Sequence, residues 1–191
     1  PPLPPSTAPA WSDAELADVH VRADKPGRVR GMFSAIAKSY DLNNRVHSLG
    51  QDQAWRRYAV RAARVRVGDR VLDVACGTGD LTQAFARLST AASVLGVDFT
   101  PEMLAVAGLK RESLAGEIKG RVSYAEGDAQ NLSFADGTFD VVSIAFGIRN
   151  VADPVRALAE FARVLRPGGR LVILEFDRPA FAPVRWFNDF Y

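Results

Sequence analysis

From residue 70 onward, short apolar runs alternate with longer amphipathic stretches, and this alternation predicts the architecture. The runs at 70–75, 93–98, 121–126, 139–146 and 170–176 have strand length, and most are rich in Val, Leu and Ile. Between them, segments near 81–88, 101–115 and 154–165 repeat apolar residues at helical spacing. Pro101 and Pro154 open two of these helices at first-turn positions, where a proline gives up no needed donor. Pro167-Gly168-Gly169 is a turn signal before the fifth strand. Two more helical patterns, 28–40 and 51–67, precede the first strand. Strands alternating with helices imply a parallel sheet and an α/β fold. Five prolines among residues 1–9 mark 1–27 as a polyproline or disordered arm and leave 28–191 as the domain.

Composition agrees with one domain, because 191 residues at 48% hydrophobic can bury a full core. A net charge of +2 carries no nucleic-acid signature. The single cysteine, Cys76, excludes an internal disulfide and suits a reducing cytoplasm. No apolar stretch approaches the roughly 20 residues that span a bilayer, and no cleavable signal is visible. Because the chain begins at Pro1, the native start is expected upstream, so the missing signal weighs little. Charge is uneven: residues 28–66 hold nine Lys or Arg against only Asp41 and Asp52. On a helical wheel Arg57, Arg61 and Arg64 share one face, and Trp55, Ala59 and Ala62 another. The first reading of that layout is a solvated helix packed on the sheet. The second is peripheral contact with an anionic membrane surface, at its inner face.

Candidate chemistry gathers where the first strand ends. Residues 71–80 read as a strand, a glycine turn and a helix start, with Gly77, Thr78 and Gly79 at the turn. Glycines there let the backbone approach a ligand at angles a Cβ forbids, and the helix presents free N–H groups to it. A dinucleotide loop begins alike, but its G-x-G-x-x-G/A pattern needs a small third residue where this chain has Thr82. Asp73 would not favour a pyrophosphate, yet it would attract a sulfonium and an α-ammonium group, the charges of S-adenosylmethionine. Asp98 ends the next strand, 25 residues after Asp73, beside the crevice where open parallel sheets bind ligands. Its carboxylate can accept from both ribose hydroxyls. The third strand leads to Asp128 and Ala129, placed to accept from an adenine amino group and to donate N–H to the ring. No metal ligands are assigned.

Residues outside the loop are more particular. Tyr40-Asp41-x-x-Asn44, Ser48-Leu49-Gly50, Trp55, the 73–80 loop, Phe146-Gly147-Ile148-Arg149-Asn150-Val151, Arg163-Val164-Leu165-Arg166-Pro167-Gly168-Gly169 and Leu174-Glu175-Phe176 together resemble the ubiquinone/menaquinone biosynthesis C-methyltransferases. The resemblance covers about residues 30–191. It implies a Rossmann-like class I methyltransferase fold, a mostly parallel doubly wound sheet with N-terminal helices. S-adenosylmethionine would be the cofactor. The substrate would be a reduced polyprenyl quinol, demethylmenaquinol or the benzoquinol precursor of ubiquinone, methylated on a ring carbon. It also implies segments beyond 189–191, including the last strands of a seven-stranded sheet. The chain is therefore expected to be C-terminally incomplete, with its fifth strand left as an apolar edge. His47 stands where the family tends to an aliphatic residue, and Asp52 where a histidine often precedes the tryptophan by three. Neither His47 nor His20 is assigned to catalysis.

Carbon methylation requires a nucleophilic carbon in line with the S–CH₃ bond. Losing a phenolic proton enriches the ortho carbon, so the site needs a base or a stabiliser of phenolate. By resemblance Arg149 is the catalytic residue; a guanidinium keeps its proton, so its expected part is to stabilise phenolate or polarise a water. Asn150 would orient that group, and Tyr40 with Asp41 would close over the substrate, with Asn44 as a further contact. Among Phe146, Phe176, Phe181, Trp186, Phe187, Phe190 and Tyr191, the pair Trp186 and Phe190 is the expected wall of an isoprenoid groove, one helical turn apart. Two other readings stand beside this one. A methyltransferase of another small molecule is expected if residues 40–55 pack away from the pocket. A non-catalytic subunit would keep only the fold. A homodimer is a candidate arrangement, and the sequence does not say whether the protein works as a dimer or within a larger complex.

Overall fold

The computed structural model describes residues 25–176. Five parallel strands, β1 (Arg70–Val74), β2 (Ser93–Asp98), β3 (Val122–Glu126), β4 (Phe139–Ala145) and β5 (Leu165–Leu174), form one sheet in the order β3-β2-β1-β4-β5. The order reverses between β1 and β4, and the crevice above that switch point, at the strands' carboxyl ends, is where such sheets bind ligands. Among the described residues three helices precede the sheet: α1 (Lys25–Ile36), α2 (Tyr40–His47) and α3 (Gln51–Ala62). The crossovers hold α4 (Asp80–Leu88), α5 (Pro101–Glu112), α6 (Gly116–Arg121) and α7 (Pro154–Val164).

Alternation along each strand divides the core into two. On one face Val71, Val94, Val122 and Val141 pack with Phe85 and Ala86 of α4 and Ala59 and Val60 of α3. On the other, Leu72, Val74, Val142 and Ile144 meet Ala157, Phe161 and Val164 of α7. Central strands buried on both faces read as continuous apolar runs, which is why β1 and β4 were legible from composition alone.

Several expected boundaries shift for identifiable reasons. The 28–40 pattern is two helices: Ser39 N–H and hydroxyl both bond the Ile36 carbonyl, closing a turn, and Tyr40 opens the next helix. The 51–67 helix stops at Ala62, and Arg64 adopts φ +46°. Its buried face carries Asp52, Arg56, Ala59 and Val60, continued by Ala63, rather than the Trp55-Ala59-Ala62 stripe; Ala62 is exposed. A charged pair in that face displaced the wheel's estimate. Helix α6 was not expected, because its six residues, two of them glycine, lack an apolar stripe. Pro167-Gly168-Gly169 does not separate a helix from a strand but lies inside β5. Phe139 pairs with Leu165 and Val141 with Arg170, so residues 166–169 bulge opposite Asp140. Among the described residues β5 is an edge strand, with Leu171 and Ile173 partly exposed.

Of the expected 1–27 arm, residues 1–24, including His20, lie outside the described residues, while residues 25–27 open α1; residues 177–191, with Phe181, Trp186, Phe187, Phe190 and Tyr191, also lie outside the described residues.

Tyr124 of β3 lies across β2 at Gly96 and reaches the glycine turn. A Cβ on Gly96 would stand 2.7 Å from the Tyr124 ring and 2.9 Å from Cys76 Sγ. Gly96→Ala is therefore expected to cost about 1–3 kcal/mol in urea unfolding, as overpacking does. In a Tyr124→Ala background the same change should cost measurably less, with the Cys76 contact remaining, and equal costs in both backgrounds would contradict this packing.

Candidate functional site

The turn after β1 turns sharply through Ala75 (φ +51°), Gly77 (φ +55°) and Gly79 (φ +80°). Two carboxylates hold it. Asp73, 1% exposed, accepts from Thr82 Oγ1 of α4 at 2.7 Å and from Ser143 Oγ, its register partner on β4, at 2.8 Å. Asp98 accepts from Gly77 N–H at 2.8 Å and from Thr100 N–H at 2.9 Å. Burial pushes both carboxyls up despite these donors, Asp73 to about 6.

Beside the turn, at the carboxyl ends of the strands, lies a cavity of about 410 Å³. It is within the ordinary range for small-molecule sites, roughly 300–1,000 Å³. Gly77, Asp98, Asp128 and Ala129 stand on its wall, as do Tyr40 and Asn150. The Asp128 turn is fixed from outside: Gln130 N–H donates to Asp128 Oδ1, the Gln130 side chain accepts from Asp153 N–H at the start of α7, and Arg156 Nε donates to the Gln130 carbonyl. Arg163 then holds the next stretch through the Leu132 and Phe134 carbonyls.

The other expected site residues lie elsewhere. Asp73 does not line the cavity but braces the turn from below, joining α4 to β4 across the sheet. Thr82, read from sequence only as an obstacle to a dinucleotide loop, is the donor that this carboxylate needs. Gly79 also lies off the wall; its freedom is required by φ +80° and by Tyr124, whose hydroxyl a Cβ would strike. Thr78 and Asp41 bond each other and Lys110 Nζ, which commits Asp41 to the turn rather than to a substrate. Asn44 is half-buried and off the wall. Arg149 is exposed; its guanidinium donates to Glu175 Oε1 at 2.8 Å and lies 5.4 Å from the Phe176 ring, directed at the end of β5.

Sequence reasoning missed several wall residues. Phe99 and Met103 give the cavity an apolar side next to Asp98, and Met103 is 2% exposed. Their proximity to Asp98 in the chain was a usable signal. Helix α1 covers the cavity with Arg30 and Phe33, tethered by Arg30–Glu126 at 3.4 Å and Ser34–Glu102 at 2.8 Å. Trp55, Phe146 and Phe176 form an aromatic cluster with ring centroids 5.0–6.1 Å apart, and Phe146 belongs to the wall. Beneath it the buried Arg56 pairs with Asp52 at 2.9 Å and lies 5.7 Å from the Phe146 ring.

This donor and acceptor set fits S-adenosylmethionine. Three carboxylate residues, Asp98, Glu126 and Asp128, line the cavity at or just beyond the ends of adjacent strands, an apolar pair stands beside Asp98, and Ala129 is on the wall. Among the described residues no group of three or more His, Cys, Asp or Glu could hold a metal ion.

Comparison with known proteins agrees. The sequence profile of the ubiE/COQ5 methyltransferase family matches residues 21–191. A Teredinibacter turnerae protein named ubiquinone/menaquinone biosynthesis C-methyltransferase UbiE is 47% identical over 171 residues, 88% of this chain and 68% of that one. The demethylmenaquinone methyltransferase of Thermus thermophilus is 51% identical over 148 residues, 78% of this chain and 66% of that one. The chain thus spans about two thirds of the length of these relatives. In fold it is similar to the crystal structure of an Aquifex aeolicus SAM-dependent methyltransferase, with TM-score 0.58, 22% identity and 66% of each chain covered.

Two outcomes are expected. Asp98→Ala should weaken S-adenosylmethionine binding at least roughly tenfold in calorimetry, the loss of charge-assisted bonds to a ligand; unchanged affinity would displace Asp98 from the site. Asp73 keeps its proton in the native chain, up to about pH 6, where the unfolded carboxyl has already ionised near 3.8. Its contribution is therefore intact below the unfolded value and is lost as pH rises through that window. Asp73→Asn should remove this slope from urea-unfolding free energies measured across the window, and an unchanged slope would contradict it.

Proposed function

The chain belongs to the ubiE/COQ5 methyltransferase family, whose members use S-adenosylmethionine, and we propose that it methylates a ring carbon of a reduced polyprenyl quinol. The acceptor is demethylmenaquinol or the benzoquinol precursor of ubiquinone, the chemistry that the names of its relatives describe. One observation carries the choice over other small molecules. The 40–55 segment packs onto the cavity, with Tyr40 on the wall and Trp55 against Phe146, which is also on the wall. The aromatic trio Trp55, Phe146 and Phe176 offers a planar apolar ring or a prenyl tail a surface beside the cavity.

S-adenosylmethionine, when bound, supplies an electrophilic methyl group. Asp98 would take the ribose hydroxyls, Asp128 and the Ala129 N–H would read the adenine edge, and Gly77 would let the turn approach. Asn150, in the short turn that follows β4, and Tyr40, from α2, line the cavity and would orient the acceptor's hydroxyl. That hydroxyl would give its proton to water, and the ortho carbon would accept the methyl as the S–CH₃ bond breaks and S-adenosylhomocysteine leaves. The proton shed by that carbon would restore the aromatic ring while the oxygen regains a proton from water, so that one proton is released overall. Arg149, next to Asn150, stabilises the phenolate by exchanging Glu175 for the acceptor oxygen, one charge-assisted hydrogen bond for another.

Arg57, Arg61 and Arg64 are exposed and form no ion pair among the described residues. They border a hollow with Val65, Leu88, Ser89 and Thr90, at the segments that lead into β1 and β2. That is the end of the sheet opposite the cavity, so a membrane bound there would lie away from the cavity. We assign these arginines to a solvated face. No helix among the described residues is long and apolar enough to cross a membrane.

With a reduced short-chain demethylmenaquinone the protein should transfer labelled methyl to the ring, and no product under reducing conditions would contradict the acceptor. Arg149→Ala should lower turnover roughly 100-fold, as loss of a transition-state donor does, while cofactor affinity changes little; full turnover would remove Arg149 from the mechanism. Sedimentation with anionic and neutral liposomes should recover equal protein in both supernatants. Anionic enrichment abolished by Arg57→Gln, Arg61→Gln and Arg64→Gln together would restore the membrane reading.

A further inference from the structure

Lys110 projects from α5 toward groups on three other elements. Its Nζ donates to Asp41 Oδ2 of α2 at 2.6 Å, donates to Asp80 Oδ1 at the start of α4, and lies 3.4 Å from Thr78 Oγ1 in the glycine turn. Thr78 closes the cluster by donating to Asp41. Asp80 has other support, from Gln53 at 3.0 Å and Arg45 at 3.6 Å. Among the described residues Asp41 has no cation within ion-pair distance other than Lys110.

These side chains are about a quarter exposed or less, apart from Asp41 at 31%. Two carboxylates that close, with partial loss of water, repel strongly unless a cation stands between them. Burial pushes the Asp80 carboxyl up, and Lys110 beside it outweighs this and holds the group below the ordinary carboxylate range. Without the ammonium, the start of α4 and the start of α2 would push apart. Both ends of that link abut the cavity. Thr78 lies next to Gly77, Asp41 next to Tyr40, and both Gly77 and Tyr40 are on the wall. A Cβ on Gly77 would be 3.9 Å from the Tyr40 ring.

We infer that Lys110 is a positioning residue for S-adenosylmethionine: by clasping Asp41, Thr78 and Asp80 it sets the glycine turn and helix α2 in the single arrangement that forms one end of the cofactor cavity. Lys110 itself is off the wall and acts through these three residues. The inference rests on the cavity being the cofactor site and is independent of the acceptor's identity.

The test titrates S-adenosylhomocysteine into the full chain by calorimetry for wild type, Lys110→Met, Lys110→Arg and Lys110→Met with Asp41→Asn, with circular dichroism to fix a temperature at which all are folded. Binding by Lys110→Met should weaken roughly five- to tenfold, the scale of a half-buried ion pair. Its KM for S-adenosylmethionine should rise by more than kcat falls. Lys110→Arg should recover most of the loss, and adding Asp41→Asn to Lys110→Met should recover part of it by removing the repulsion. Equal affinity of Lys110→Met and wild type, or no recovery in either second variant, would overturn the inference. Failure of wild type itself to bind would instead overturn the cofactor assignment on which it rests.

Discussion

A backbone turn with three positive φ values in five residues does not hold itself. Ala75 in particular takes a conformation that L side chains adopt at a cost of about 1–3 kcal/mol. The surrounding chain holds it with carboxylates at fixed depths. Asp73 sits below, bonded to Thr82 and Ser143, and ties the first turn of α4 to the central strand β4. Asp98 sits beside it and takes the Gly77 N–H. Both are pushed toward the neutral form by burial, so the native chain spends folding free energy to keep them there. Strain and buried charge kept together at a strand end usually serve a ligand, and here they shape the cavity.

The rest of the molecule divides around that turn. The β1, β2 and β3 ends, with Asp98 and the Asp128 turn, present carboxylates and backbone donors suited to a nucleoside. The β4 end and the N-terminal helices present Tyr40, Asn150 and the Trp55–Phe146–Phe176 cluster, suited to a flat apolar acceptor. The two halves meet at Gly147, where a Cβ would lie 2.8 Å from Ala75 Cβ. Methyl transfer needs donor and acceptor in line at close range, and the near contact of the β1 and β4 ends brings their sites together.

Much of this was legible in the chain. Apolar runs gave all five strands because the central ones are buried on both faces, and the strand-end acids Asp98 and Asp128 stand where spacing put them. Other features depend on tertiary contacts that no periodicity records. Asp73 carries the right charge but faces inward, because Ser143 and Thr82 claim both of its oxygens. Asp41 turned out to belong to Lys110, 69 positions away. The Asp52–Arg56 pair fills a helix face where pattern reading expects apolar residues. Arg149, singled out by resemblance, lies in a short helical turn, Ile148–Asn150, beyond β4, and its side chain turns to Glu175. Local sequence places backbone, and long-range pairing decides where a charged side chain points.

Hydrogen–deuterium exchange of the protein with and without S-adenosylmethionine tests the central claim most directly. A cofactor seated on the turn predicts slower exchange at residues 75–80, 98–100 and 127–130 and none at the arginine face, 57–66. No protection at those three segments, or protection confined to 57–66, would contradict it.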